Sequence, residues 1–420
     1  MSKSNRKHSV YTKNDAKQTI TRKRVSESYT LTPRMISSST ETISNRHKQV
    51  IKKANEHKVK LSSLLANSSV NNQQQKEETK TKEQASWRKS LQRYIEVYNA
   101  AEAEQRFDLY DVVHDEQHVE RMIVRLDRIK ERELLRGALS QGCETKGEII
   151  RVHQANQEVT VLLKLHIKKK IVQRDMHYVE ERYEFERLWF GEQEGVFQLL
   201  RVEPLIYERR PKYGDYVQQY GLEEVGEIEE PLARSVPYLN GAIFTATLPL
   251  YHRAAYLRDH AVAYADRWWN EGNPKYELFD VNCTHYVSQC LFAGGAPMNY
   301  TGKRSNGWWY TGRVNKQEKW SYSWAVSHAL TIYLSSKRHT GLRAIMMDRA
   351  DQLMLGDVIT YDWSGDGRFQ HSTIVTAFDA FGQPLVNANT VASRHRYWDY
   401  SDSYAWTRNT KYRFFHIVSD

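Results

Sequence analysis

The sequence predicts an α+β protein with two folded parts behind a basic arm. Three observations carry that reading. The first 80 residues contain no Gly, Trp or Phe. Residues 85–206 change from helical spacing to strand-like alternation. Residues 251–420 again run helices first and strands after.

The 420 residues are enough for two or three domains, and 40% hydrophobic content with 11 Trp and 26 Tyr supplies a sizeable core. The formal net charge of +10 is not evenly spread. Residues 1–60 hold 15 Lys and Arg against 4 Asp and Glu, while the rest of the chain holds 46 against 47. The basic character therefore belongs to the arm, and the near-neutral remainder argues against a nucleic-acid-binding face. Residues 1–84, rich in Ser, Thr, Asn, Gln and Lys, read as a disordered arm, too poor in apolar surface to offset its ordering entropy. Its charge suits a salt-sensitive contact with an anionic polymer.

The three cysteines, Cys143, Cys283 and Cys290, form no CxxC and no even set. A reducing compartment fits them better than a disulfide scaffold. No secretory signal and no transmembrane-length run is visible, so the expected location is cytoplasmic.

Order is expected from about Ala85. Trp87, Leu91, Tyr94, Ile95 and Tyr98 recur at helical spacing, and a charged helix follows over HVERMIVRLDRIKERELLRGAL. GEIIRVH, QEVTVLLKLHIKKKIV, MHYVEERYEFERLWF and GVFQLLRVEPL then read as four antiparallel strands. In this coarse order, residues 85–206 resemble cystatin-like or nuclear-transport-factor-like helix-on-sheet domains. Residues 207–250, with four prolines and an acidic tract, read as a linker.

The last part opens with an amphipathic helix over YHRAAYLRDHAVAYADRWWN. The helix holding Cys283 and Cys290 comes next, closed by Gly294-Gly295. A Gly/Asn/Trp-rich loop leads to a helix over SYSWAVSHALTIYLSS. LGDVITYDW, HSTIVTAFD, PLVNANT and KYRFFHIV read as strands, joined by turns that include SGDG and AFGQ.

The chemistry centres on Cys283. Asn282 is a good N-cap, which puts Cys283 in the first helical turn, where free N–H groups and the helix dipole favour the nucleophilic thiolate. Cys290, two turns further in, is expected to be an inert core thiol. His371 opens a β-branched strand, and Asn387 follows one hairpin later, where its amide could fix an imidazole tautomer. The order Cys, His, Asn is that of thiol hydrolases, although one His among 16 is slender evidence. Asp362, Asp366 and Asp379 invite a metal reading, but Asp366-Gly367 is first a turn signal. No metal and no cofactor is expected.

Several separated motifs match a known family in order: NCTHYVSQCLFAGGAPMNYTG, SNGWWY, GDVITYDWSGDGRFQHSTIV and PLVNANT with SRHRYWDY. From about Tyr251 to Ile417 the chain resembles the Putative amidase domain family of Gram-positive, often spore-forming, bacteria, a family that looks like the papain-like, NlpC/P60-type thiol hydrolases. The resemblance implies a papain-like domain with a central helix packed on an antiparallel sheet. It implies Cys283 as nucleophile, His371 as base and Asn387 as the orienting residue, acting through a thioester on a peptide amide. The Cys283 N–H would hold the oxyanion, with Asn282 or Tyr276 as candidate second donors. Trp308 and Trp309 could line a groove for a peptide or sugar, or pack in the core.

Three positions depart from the family's pattern. Asn282 stands where the family has Asp, His285 where it has Asn, and Asn389 where it often has His. His285 is read either as titrating near the site or as lying on the helix surface. Cell-wall stem peptides are the favoured substrate by superfamily analogy alone, and with no signal visible the expectation is either action inside a cell or spore or exit by another route. The rival reading is a catalytically inactive binding or spore-structural protein that keeps the fold.

Overall fold

The computed structural model describes residues 87–106, 112–155, 157–209, 256–314 and 317–418. The expectations for the arm and for nearly all of the linker fall outside these residues. Helix α1 (87–104) forms because Trp87, Leu91, Tyr94 and Tyr98 lie along one face, and all four are buried. Helix α2 (Glu116–Arg136) starts at Asp115, whose carboxylate accepts the His118 N–H at 3.0 Å. It ends at Gly137, in the left-handed conformation, where the N–H groups of Gly137 and Ala138 satisfy the carbonyls of Leu134 and Glu133.

Strands β1 (Leu139–Ala155), β2 (Glu158–Gln173), β3 (Met176–Gln193) and β4 (Val196–Pro204) make the expected antiparallel meander. Alternate residues of β2, Val159 to Ile167, face α1 and α2 in one apolar core.

Residues 256–418 run α3 (Arg258–Trp268), α4 (Cys283–Ala293), the hairpin β5 (Tyr310–Val314) and β6 (Gln317–Trp320), α5 (Tyr322–Ala325), α6 (Ser327–Ser335) and β7 (Arg343–Met347). Strands β8 (Val358–Asp362), β9 (His371–Phe378), β10 (Pro384–Ala388), β11 (Ser393–Tyr397) and β12 (Lys411–Val418) follow. The helix expected over SYSWAVSHALTIYLSS is two short ones, broken where Val326 turns extended. The β5–β6 hairpin, β7 and β11 are strands beyond those the sequence predicts. Helices with antiparallel sheet make the α+β class expected. No helix of the described residues is long and apolar enough to cross a membrane.

The sheet is continuous from one part to the other. Its order is β1-β2-β3-β11-β10-β9-β8-β12-β7, with β4 also on β3. Strand β3 is long enough to take β4 along residues 186–193 and β11 at Arg182 and Glu181. A buried charge network secures this junction. The Arg125 guanidinium reaches Glu102 of α1 and Glu184 of β3, each at 2.7 Å, and the Asp402 carbonyl at 2.6 Å. Arg182 also pairs with Glu102 at 2.6 Å, and Arg396 with Asp402 at 3.0 Å. Burial opposes ionising Glu102, but Arg182 and Arg125 hold its carboxyl well below the ordinary range.

Candidate active site

Helix α4 is buried almost all round and packs on the face of β9 that carries Ser372 and Ile374. Its first residue is Cys283, as expected, and Cys290 lies in the core. Burial pushes the Cys290 thiol well up. Cys283 is itself only 1% exposed, and its sulfur lies 3.8 Å from the Thr284 hydroxyl.

The cap is not the one the sequence predicts. Asn282 has helical backbone angles (φ −105°, ψ −2°) rather than the extended ones that turn a side chain onto its own helix, and it makes no capping bond. Thr390, just past β10, caps from across the sheet. Its hydroxyl accepts the N–H of Cys283 at 2.7 Å and that of Asn282 at 3.0 Å. The Asn282 amide instead donates to Asn389 Oδ1 at 2.6 Å. Asn389 in turn donates to the carbonyls of Trp268 and Trp269, both at 2.9 Å. Asn389 therefore ties the end of α3 to the start of α4. The N–H that the resemblance assigns to the oxyanion is held by the Thr390 hydroxyl.

The structure does not bring His371 to Cys283. Strand residues alternate in facing, and it is Ser372 that meets α4, with its hydroxyl 3.1 Å from that of Thr284. His371 pairs with Tyr361 across β8 and lies against Tyr361, Trp363 and Tyr400 on the opposite face. Both its ring nitrogens are buried without a hydrogen-bond partner. Burial, then the Arg396 charge, pushes its pKa down to about 3.

Asn387 faces the helices, not His371. Its carbonyl oxygen accepts from the Thr376 hydroxyl and the His395 N–H, both at 2.8 Å, and its amide donates to Asp266 at 3.0 Å. A bulge in β11 aims His395 at the same carboxylate, with its ring nitrogen 3.5 Å away. Burial would raise the Asp266 carboxyl, but hydrogen bonds from His395 and Asn387 hold it below its ordinary value.

His285 is on neither the surface nor an open site. It is fully buried among Tyr276, Phe279, Tyr310 and Trp324, and accepts the Trp324 indole N–H at 2.7 Å. Burial pushes its pKa down to about 3. Tyr276 packs edge-on against this ring. Trp308 and Trp309 are both buried: Trp308 donates to Ser288, and Trp309 to the Asn306 carbonyl. Neither lines an open groove. Asp362 accepts the N–H groups of Ser364, Gly365 and Gly367 and so shapes the SGDG turn; Asp379 does the same for Phe381 and Gln383.

Residues 255–416 match the model of the family described as Putative amidase domain. The match covers helices α3 to α6 and nearly all of the strands from β5 to β12, and includes Cys283. An uncharacterized protein of Bacillus subtilis (strain 168), YhbB, is 53% identical over 165 residues, which are 39% of this chain. The chain spans about half the length of that relative, 51%. No solved structure matches.

Proposed function

We propose that residues 256–418 form an amide hydrolase of papain-like, thiol-dependent type, with Cys283 as nucleophile. One observation carries the proposal: within the stretch matching the amidase family, Cys283 opens the buried helix α4 while Cys290 lies in the core. The thiolate attacks the amide carbonyl, the amine leaves with a proton, and water then releases the acid from the thioester. The proposed substrate is a peptide amide, with peptidoglycan stem peptides favoured by superfamily analogy.

His371 is proposed as the base on the strength of the resemblance. To serve Cys283, the first residues of β9 must turn over, so that His371 and Ser372 exchange faces. The two unpartnered ring nitrogens of His371 make its present place a costly one. The Thr390 hydroxyl must also give up the Cys283 N–H to an oxyanion.

A second reading has specific support. The covered thiol, the occupied N–H and the turned-away imidazole together suit a protein that keeps the fold as a binding or structural module. The helix-on-sheet part is proposed to dock or support the hydrolase. Incubation with peptidoglycan-derived peptides, followed by detection of newly freed amines, separates the readings. Release by the wild type and none by Cys283→Ser supports the hydrolase. Equal behaviour of the two proteins favours the module.

A further inference from the structure

Strand β1 forms one edge of the sheet. It pairs with β2 on one side, and among the described residues no strand pairs with it on the other. Its ladder is interrupted between Ser140 and Gly142 and again between Ile149 and Arg151, which leaves 142–149 as a regular run. Along that run the side chains alternate. Cys143, Thr145, Gly147 and Ile149 line a groove of about 480 Å³ shared with Asn99 and Ile95 of α1. The buried Asn99 Oδ1 in this groove has no partner. Lys146 and Glu148 alternate with these residues; Glu144 also borders the groove and pairs with Lys146 at 2.8 Å, the two side chains being 58% and 70% exposed.

Open strand edges are commonly blunted by charge. Here the charges alternate in sign, so the strip complements itself when run antiparallel. We propose that β1 is a homodimer interface, with two copies paired about a two-fold axis at Thr145. An axis normal to the sheet sets each residue opposite one of the same facing. Centred on Thr145, Glu144 faces Lys146 of the second copy, and Lys146 faces its Glu144. Residues 142–148 then all fall within the regular run. Centred on Lys146, Glu144 would face Glu148 and repel it. Centred on Gly147, the ladder would meet the bulge next to Ile149 after fewer pairs. Because the axis is normal to the sheet, both α1 helices lie on one face, and the second copy's α1 is brought to the side of the groove.

The test is the mass of the full chain in solution, measured by sedimentation velocity at tens of micromolar, with circular dichroism to confirm folding. A dimer is expected. Glu144→Lys and Lys146→Glu should each raise its dissociation constant about tenfold, since each creates two like-charge pairs. The double variant Glu144→Lys/Lys146→Glu should restore the wild-type value. A monomeric wild type, a larger oligomer, or a dimer indifferent to the single changes overturns the proposal. So does a double variant that stays dissociated, because a register centred on Gly147 would leave residue 146 facing Glu148.

Discussion

The hydroxyls of Thr284 and Ser372 lie 3.1 Å apart, so the residue of β9 that faces the start of α4 is a serine. His371, its neighbour, faces the other way by the two-residue period of the strand. Catalysis through His371 therefore requires a local turnover of β9. His371→Phe tests this. Phenylalanine suits a pocket made by Tyr361, Trp363 and Tyr400 and should hold the present arrangement. The variant should fold and lose amide hydrolysis; a fully active His371→Phe would remove His371 from the mechanism.

The same variant has a pH signature. The folded pKa of His371 is pushed to about 3, below the ordinary value of about 6.5. The unfolded chain binds the proton first, so this contribution to stability is intact above about pH 6.5 and is lost as pH falls towards about 3. At about pH 5, His371→Phe should resist urea better than the wild type, and the difference should shrink by about pH 7. A constant difference across that range would contradict the burial of a neutral ring.

Glu186 works in the opposite sense. Burial raises its carboxyl to about 8, and the Tyr94 hydroxyl donates to it at 2.8 Å. The fold keeps a proton that the unfolded chain releases near pH 4 to 5, so the contribution is complete below that range and is lost as pH rises through about 8. Glu186→Gln should flatten this part of the profile. Between about pH 5 and pH 8 the wild type should lose a few kcal/mol more than the variant in denaturant titrations.

Thr390→Val removes the hydroxyl that caps α4. A lost cap costs about 1 kcal/mol, read as a lower melting temperature. Thr390→Ser, which keeps the hydroxyl, should recover most of it. If both variants melt with the wild type, the cap contributes nothing.

Arg125→Ala leaves Glu102 and Glu184 buried beside a missing charge. Breaking a buried pair on one side costs about 3–5 kcal/mol, enough to unfold the junction between the meander and β11. Calorimetry checks this, and a loss under about 1 kcal/mol would show that Arg182 suffices.

Local patterns made much of the fold legible. The four-strand meander follows from the alternation in residues 147–206, and α4 from its apolar run. Strand β11 was hidden because SRHRYWDY carries charge at positions that a strand buries; Arg396 is buried there only because Asp402 and Glu208 meet it. The site was less legible for the same reason. The cap of α4 comes from Thr390, 107 positions along the chain from Cys283. No local spacing encodes such a contact. The facing of His371 depends on where the ladder with β8 begins, and a one-residue difference in register reverses it.

Residue-resolved alkylation tests the role of Cys283 as nucleophile. The native protein is treated with iodoacetamide, the modified cysteines are mapped by mass spectrometry, and peptide-amide hydrolysis is followed in the same samples. Cys283 should be modified well before Cys290, whose thiol burial pushes well up, and hydrolysis should fall in step with it. If Cys283 and Cys290 react together, and only as the protein unfolds, the thiol-hydrolase account is wrong.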